Sequence, residues 1–413
     1  MWRRPISVRV AMSMRRAAVG AAVGGLPGMA QRREYKTNFS PSALKYNLHD
    51  FVPTVVTPEI MSKQHPKRHV LTTTFRRFRD VDQCESVMED GKAQLTQIGS
   101  ADIGSDVEFA CLYLNAALLW DVTPPTSILD HLLTEIVSRI TTPLQLETLL
   151  SAVSQLYRAK WKAQELEEFL TAVMPTLDAI VPTMGKSTVV LTACIYSDAE
   201  LATPLLMQAL LERAVMLKDA FSPHDAAQFL LAYALSSFRT ATDVPELFVE
   251  FSPMLKYKAA QISAKDAAAL LYAFAVVRHG DAELIDLLGR RLHHVAHAVD
   301  ADSVAMSFAA MVTMGIDSPL LVKALSDALR MLDPTQLSPL AALDVAWALT
   351  QLPHSSPHGA TSLARDDDLL DTVMSRVMSD KSVVLNSSEA RGRLLQVSAA
   401  LRERPKLAGN IRR

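Results

Sequence analysis

The sequence is poor in the residues that redox, metal and phosphate chemistry require. Its three cysteines, Cys84, Cys111 and Cys194, lie far apart, and no CxxC pair occurs. This pattern predicts buried thiols in a reducing compartment, and neither disulfides nor a zinc site. The 14 glycines form no Walker loop, and their densest cluster falls at 20–28. Because no GxSxG motif and no spaced Ser, His and Asp set occurs, we expect neither an enzyme nor a cofactor.

Aromatic side chains and chain breakers are also scarce. Only 6% of the residues are aromatic, whereas 49% are hydrophobic, and alanine and leucine run on with few interruptions. Both residues are strong helix formers, and no strand-like alternation competes with the helical period. The composition therefore predicts an all-α fold.

The first 35 residues have the composition of a mitochondrial transit peptide. They contain seven arginines and a single acid, Glu34, among small residues and serines. The apolar stretch 17–30 holds four glycines and a proline, so it is a poor core for a secretory signal. Arg33-Glu34-Tyr35 is typical of a processing site, and the expected location is the mitochondrial matrix.

Removal of this leader makes the mature protein acidic. The whole chain has a formal net charge of −2, and the leader carries seven arginines and one glutamate, so the mature chain stands at −8. This charge excludes a generic polyanion binder, and any RNA contact must come from a local basic patch. The apolar stretch 17–30 is too short and interrupted to span a bilayer, and no membrane insertion is expected.

A short unit recurs eight times, with starts 36 to 48 residues apart. Each copy starts with a residue whose side chain can accept hydrogen bonds from the free N–H groups of a first helical turn. Ten residues later, every copy except the last has an alanine, which lets two helix backbones approach closely. The predicted caps are Asp106, Thr142, Thr183, Ser222, Ser263, Asp300, Ser338 and Asn386; the alanines are Ala116, Ala152, Ala193, Ala232, Ala273, Ala310 and Ala348, and Gln396 stands in the last copy.

A second, amphipathic segment follows seven of these first helices. Apolar residues recur in it at i, i+3, i+4 and i+7. The segments begin near Thr126, Ala163, Leu201, Val244, Asp281, Pro319 and Leu369. Since one hairpin cannot bury its apolar stripe alone, neighbouring hairpins must stack. The sequence therefore predicts an all-α, right-handed α-solenoid of about eight two-helix repeats of about 38 residues each.

The remaining segments complete the predicted organisation. The transit peptide covers 1–35, an extended N-terminal arm 36–72, and an N-terminal helical cap 73–105. The repeat array covers 106–405 and includes a Pro/Ser/Gly-rich insertion loop at 353–368. A basic tail, 406–413, ends the sequence.

Two copies carry a family resemblance. "AALLYAFAVVRHGDAELIDLL", residues 268–288, combines a core of Leu270, Ala273, Phe274 and Ala275 with a Gly-Asp corner and a Glu-Leu helix start, and "DVAWALTQL" covers 344–352. These copies resemble the heptatricopeptide and octotricopeptide repeats and the repeats that precede the RAP domain of FAST-kinase-like proteins. The array is also similar to kinetoplastid mitochondrial RNA-editing and mitoribosome-associated proteins. The resemblance implies action on organellar RNA, without the RAP domain and its possible catalysis.

One candidate RNA-binding cluster lies near the start of the mature chain. Arg76, Arg77 and Arg79 alternate with Phe75 and Phe78, a pattern that suits phosphate contacts and base stacking. The alternative is an amphipathic cap helix with its phenylalanines inward and its arginines outward. Both interpretations stay open at the level of sequence.

Further candidates lie in the fifth and last copies. They are Arg278 at a hairpin corner, the basic face of Arg290, Arg291 and His294, and the C-terminal Arg391 and Arg393. His294 and His297 stand three residues apart and could share a metal, but no further ligand is spaced to complete a site, so no metal is predicted. A solvated helix surface is the alternative for this face.

These observations predict a non-catalytic scaffold of a mitochondrial RNA-processing or RNA-editing assembly. Its expected partners are other proteins of a ribonucleoprotein complex, with mitochondrial RNA as a candidate ligand of the basic patches. The sixth residue after each cap follows no polar code, so base-by-base reading of RNA is not supported. The alternative is an assembly or structural factor of the mitochondrial ribosome or a respiratory complex that binds protein only.

Overall fold

The computed structural model describes residues 65–80, 85–159, 163–236, 244–316, 318–332, 336–351, 367–379 and 388–402. All regular structure in these ranges is helical, which confirms the predicted all-α class. The predicted transit peptide, most of the arm, nearly all of the insertion loop and the basic tail lie outside the described residues.

The helices follow one another with short connections. In chain order they are α1 Pro66–Asp80, α2 Glu85–Gln97, α3 Ser100–Ile103, α4 Val107–Leu119, α5 Thr126–His131, α6 Pro143–Ala159, α7 Ala163–Ile180, α8 Lys186–Asp198, α9 Pro204–Met216, α10 Pro223–Leu235, α11 Val244–Tyr257, α12 Ala264–Val277, α13 Ala282–His294, α14 Ala301–Met314, α15 Pro319–Met331, α16 Pro339–Gln351, α17 Asp367–Ser379 and α18 Ser388–Arg402. A π turn, Leu132–Ile136, and a 3₁₀ turn, Val137–Arg139, extend α5.

From α4 to α17 the helices alternate between two kinds. The first helix of each pair, called an A helix here (α4, α6, α8, α10, α12, α14 and α16), packs on the A helix of the next pair, and α18 packs on α16. The second or B helices (α5, α7, α9, α11, α13, α15 and α17) pack on their own A helices, and α7 to α15 also contact one another in order. This two-layer packing buries one continuous apolar core, which is compatible with a stack of helical hairpins.

The two layers differ in amphipathicity. In α12, every described side chain from Asp266 to Ala275 is buried, and α8, α10 and α14 are enclosed in the same way. In contrast, α13 buries only Leu284, Leu288 and Leu292, spaced by four residues. A helix that is apolar all round belongs inside, whereas a striped one covers it. The A helices are therefore the inner layer, and the B helices form much of the surface.

The predicted caps are largely confirmed. Side chains of Asp106, Thr142, Ser222, Ser263, Asp300 and Ser338 each accept a hydrogen bond from a backbone N–H of the first helical turn. Thr183 is wrong, because it lies in a 3₁₀ turn and α8 begins after Gly185, which has no side chain to accept a bond. Asn386 lies outside the described residues.

The alanine column is buried as the packing argument requires. All seven of its alanines are fully enclosed: Ala116, Ala152, Ala193, Ala232, Ala273, Ala310 and Ala348. Gln396, which takes this place in α18, is exposed. Among the described helices, α18 packs on α16 alone, and a polar residue is tolerated on its exposed side.

The N-terminal cap starts earlier than predicted. Helix α1 begins at Pro66, within the segment predicted as an extended arm, because proline suits the first turn of a helix. Thr74 Oγ1 donates to Gln94 Oε1 of α2 at 2.8 Å. Trp120 lies so close to α2 that a Cβ at Gly91 would stand 2.6 Å from its ring. Glycine at this position therefore permits the contact between α2 and the first A helix.

Candidate functional site

The aromatic side chains of the N-terminal candidate cluster are part of the core. Phe75 and Phe78 are buried, and their ring centroids lie 6.4 and 6.0 Å from that of Trp120. The base-stacking role predicted for them is wrong, and the amphipathic alternative is correct, because the apolar face of α1 must be covered. Arg77 is exposed and Arg76 is half-buried, whereas the Arg79 side chain lies outside the described ones.

Sequence reasoning missed the residue that joins this cap to the array. Arg68 is buried and donates through one guanidinium nitrogen to Asp106, the cap of α4, and through the other to Glu108 at 2.8 Å. Two carboxylates on one guanidinium fix its geometry. Its charge resembled that of the exposed arginines nearby, so only the spacing of buried positions along α1 could have distinguished it.

Arg278 terminates α12 in a left-handed conformation with φ 53° and ψ 35°. Its N–H donates to the carbonyl of Ala275, and the N–H of His279 donates to that of Phe274, which is the Schellman pattern. The His279 ring lies 5.8 Å from that of Phe274. The side chain of Arg278 is exposed at this corner, as the sequence suggested.

Only part of the basic face of α13 is accessible. Arg290 is exposed and forms an ion pair with Asp286, one turn earlier. Arg291 is half-buried, and its Nε donates to the carbonyl of Ile262 at 2.7 Å. The Arg291 guanidinium therefore closes the junction before α12, a role that the sequence did not predict. His294 is exposed, with its ring 5.7 Å from that of His293.

The contact of Arg291 recurs along the array. Arg213 Nε donates to the carbonyl of Met184 at 2.7 Å, Lys258 Nζ to that of Phe221 at 2.9 Å, and Arg376 Nε to that of Leu337 at 2.6 Å. In each case a cation at the end of a B helix reaches the buried apolar residue just before the adjacent A helix. This set is called the carbonyl clamps. A basic residue stands near the end of each of these four B helices, but nothing in the sequence indicated the carbonyl that it contacts.

A second recurrent contact joins neighbouring repeats at the first turns of the A helices. Lys186 Nζ lies 2.7 Å from Asp225 Oδ2, and Lys265 Nζ lies 3.4 Å from Asp300 Oδ2. Between these two pairs, His224 Nδ1 lies 2.7 Å from Asp266 Oδ1, and this hydrogen bond raises the pKa of His224. Helices α8, α10 and α12 thus each place a basic side chain against the first turn of the next A helix. These pairs are called the first-turn ladder.

The C-terminal candidates separate in the same way. Arg391 is exposed, whereas Arg393 forms an ion pair with the fully buried Asp344 and stacks 4.5 Å from the ring centroid of Trp347. Trp347 Nε1 also donates to Gln396 Oε1 at 2.7 Å. The RNA-binding role predicted for Arg393 is therefore wrong, because its side chain anchors α18 to α16.

The position that a base-reading code would use is not accessible on the inner helices. In the described A helices, the sixth residue after the predicted cap is buried: Leu112, Thr148, Val189, Gln228, Ala269, Met306 and Asp344. RNA cannot contact these side chains without unfolding the layer. The absence of a polar code thus has a physical cause, since the column is core.

The structure does not gather the remaining candidates into one site. Arg77 lies on α1 and Arg391 on α18, at opposite ends of the packing order. Arg278 precedes α13 and His294 ends it, so about 20 Å of helix separates them. Within the described ranges, no group of three metal-binding side chains could hold a metal ion. The buried Cys111 and Cys194 carry free thiols, as predicted, and burial raises the pKa of Cys111; Cys84 lies outside the described residues.

No known family model matches this chain, and no curated protein sequence matches it. Among the helices that the structure describes, none is long and apolar enough to cross a membrane.

Proposed function

We propose that this chain is a right-handed α-solenoid that acts as a non-catalytic scaffold of a mitochondrial RNA-processing or RNA-editing assembly. It binds partner proteins through its outer layer and contacts RNA through local basic patches. The arginine-rich leader supports the mitochondrial location, and the resemblance of residues 268–288 to organellar repeats supports the link to RNA.

The observation that carries the scaffold proposal is the enclosure of the A helices. Because α8, α10, α12 and α14 are buried nearly all round, the surface available to partners consists of B helices, corners and junctions. Stacked hairpins extend such a surface with every added repeat. An extended surface of this kind suits a protein that holds several partners in register.

A second candidate function is an assembly or structural factor of the mitochondrial ribosome or a respiratory complex that binds protein only. The packing of the candidate RNA-binding residues favours it. Phe75 and Phe78 are buried, Arg393 is paired with the buried Asp344 and Arg291 serves as a carbonyl clamp, which leaves scattered single cations on the surface. Scattered cations neutralise few phosphates and give weak RNA binding.

Affinity purification from mitochondria, with and without RNase, distinguishes the two functions. RNase-sensitive co-purification of RNA-processing or editing proteins supports the scaffold proposal, whereas ribosomal or respiratory-complex proteins alone support the second. If neither class is retained above a matrix control protein, both proposals fail.

Direct RNA contact is tested with the purified mature protein and single-stranded mitochondrial RNA at several salt concentrations. Arg77→Glu with Arg391→Glu should weaken RNA binding and reduce its salt dependence. A protein with fewer cations neutralises fewer phosphates and so releases fewer counterions from the RNA. Lys323→Glu, an exposed change on α15, is the matched control and should leave affinity nearly unchanged. No binding at low salt would rule out direct contact.

A further inference from the structure

Large apolar side chains project into solvent at the ends of successive B helices. Met216 ends α9, Tyr257 ends α11 and Met331 ends α15, with 68%, 89% and 84% of their surface exposed. His294 ends α13 and is also exposed. These four residues are called the B-end row.

The row follows from the repeat geometry. Its members occupy the same place in four consecutive hairpins, and the helices α9, α11, α13 and α15 contact one another in that order. Neighbouring packed helices lie about 8–10 Å apart, so the four side chains span about 30 Å. Equivalent positions of stacked repeats form a line along the surface.

Exposure of this kind is not needed for folding. Other residues of the same helices form the core stripe, for example Leu210 in α9 and Leu325 in α15, both fully buried. Methionine, tyrosine and other aromatic residues are enriched in protein interfaces, whereas a solvent-facing apolar cluster is costly on a monomer. The row therefore has the chemistry of a protein-binding edge.

The charge beside the row is positive. Arg213, Lys258 and Arg291 lie within three positions of row residues, and each carbonyl clamp uses a neutral oxygen, so the positive charge is not cancelled there. The acids near this edge are Glu212 and Asp219 beside Met216 and, one turn before Met331, Asp327, which is paired with Lys323 and Arg330. An acidic partner segment would complement this edge.

We propose that the B-end row binds an acidic amphipathic helix of a partner protein. The proposal deepens the scaffold function proposed above and rests on it. Apolar anchors about 10 Å apart match every seventh residue of an α-helix, and about 30 Å corresponds to about 20 helical residues. Among the four row residues only Tyr257 and His294 have a ring on which a base could stack, so a protein helix fits better than RNA.

The test is fluorescence anisotropy with the mature full chain and a labelled Leu/Glu amphipathic helical peptide of about 20 residues. The triple variant Met216→Ser, Tyr257→Ser, Met331→Ser should weaken binding by about tenfold or more, because it removes the anchors. The matched control is Leu205→Ser, Leu320→Ser, Leu395→Ser, which alters side chains of similar exposure (80%, 66% and 71%) away from the row. It should keep wild-type affinity, and thermal unfolding verifies that both variants fold.

A peptide with lysine in place of glutamate is the charge control, and it should bind more weakly at low salt. The proposal is overturned if the triple variant binds the acidic peptide as wild type does, or if the basic peptide binds equally well. It is also overturned if a single-stranded RNA oligonucleotide binds more tightly and the triple variant loses that binding. If the peptide test fails but RNA-processing proteins still co-purify with the chain, the B-end row is not the binding site and the scaffold function is retained.

Discussion

At the scale of single residues, four A helices end in the same backbone conformation. Asp121, Glu200, Arg278 and Gly315 all have positive φ, between 53° and 65°, and each is followed by an N–H that bonds back to the helix. Glycine reaches this region without steric cost, whereas other residues are strained there. Three of the four corners therefore retain strain that a glycine would relieve.

Arg278→Gly should stabilise the fold by about 0.5–1 kcal/mol, because the relief of left-handed strain exceeds the added entropy of the unfolded chain. Gly315→Ala is the converse control and should cost about 1 kcal/mol, since nothing but its φ of 65° opposes a side chain there. Chemical denaturation of both variants provides the measurement. A loss of stability in Arg278→Gly would show that the arginine side chain contributes more than its backbone costs.

The buried ion pair at the C-terminal end gives a second residue-scale prediction. Arg393→Ala should destabilise the protein by about 3–5 kcal/mol, since it leaves the enclosed Asp344 without its guanidinium partner. Adding Asp344→Asn should recover part of the loss, because the buried charge is then gone. Equal stability of the single and double variants, measured by urea denaturation, would contradict the assignment.

At the scale of elements, the sequence was a good guide to helices and a poor one to their contacts. The 3.6-residue period and the small side chains at Ala116 to Ala348 predicted the pairs and their close packing, because both signals are local. The clamp of Arg291 on Ile262 and the pair of Arg393 with Asp344 join distant segments, so no local pattern revealed them. Gly185 was not predicted as a helix cap, because glycine has no side chain that could accept a hydrogen bond and so mark the position in the sequence.

Ala273→Leu should cost about 1–3 kcal/mol, because α12 contacts α10 and α14 and has no room for a larger side chain. Ala282→Leu, an exposed change at the start of α13, is the matched control and should be nearly neutral. Thermal unfolding of the two variants tests the packing. Unchanged stability of Ala273→Leu would show that the A helices do not pack at this alanine.

At the scale of the whole molecule, the first-turn ladder makes the coupling between repeats sensitive to pH. The Asp266 hydrogen bond raises the pKa of His224 above its ordinary value of about 6.5. A raised folded-state pKa means that the pair stabilises the fold fully below the unfolded value and that this gain is lost as pH rises through the folded value. Because His224 is half-exposed, the effect should be modest.

His224→Gln should therefore lower the unfolding temperature more at about pH 5.5 than at about pH 8.5. His293→Gln, at the exposed end of α13, is the control and should show a much smaller difference between the two values. If His224→Gln lowered the unfolding temperature more at the higher pH, the pH dependence would have the opposite sign, and the His224–Asp266 pair could not be its cause.

The candidate site was less predictable than the fold at this scale. Four arginines carry the same charge in the sequence but have different surroundings in the fold. Arg68 bridges two carboxylates from a buried position and Arg77 is exposed. Arg291 is a carbonyl clamp, and Arg393 pairs with the buried Asp344. Only burial distinguishes these outcomes, and burial depends on neighbours far away in the chain. The B-end row was not predicted for the same reason, since Met216, Tyr257 and Met331 look like ordinary members of an apolar stripe.

The carbonyl clamps have a consequence for how this chain can change length over evolution. The clamped junctions are all short and nearly equal in length: 181–185, 217–222, 258–263 and 332–338. The corners between an A helix and its B helix differ widely in length, from 160–162 to 352–366. Insertions and fused domains should therefore be tolerated at the corners, because extra residues there do not change the spacing between the layers.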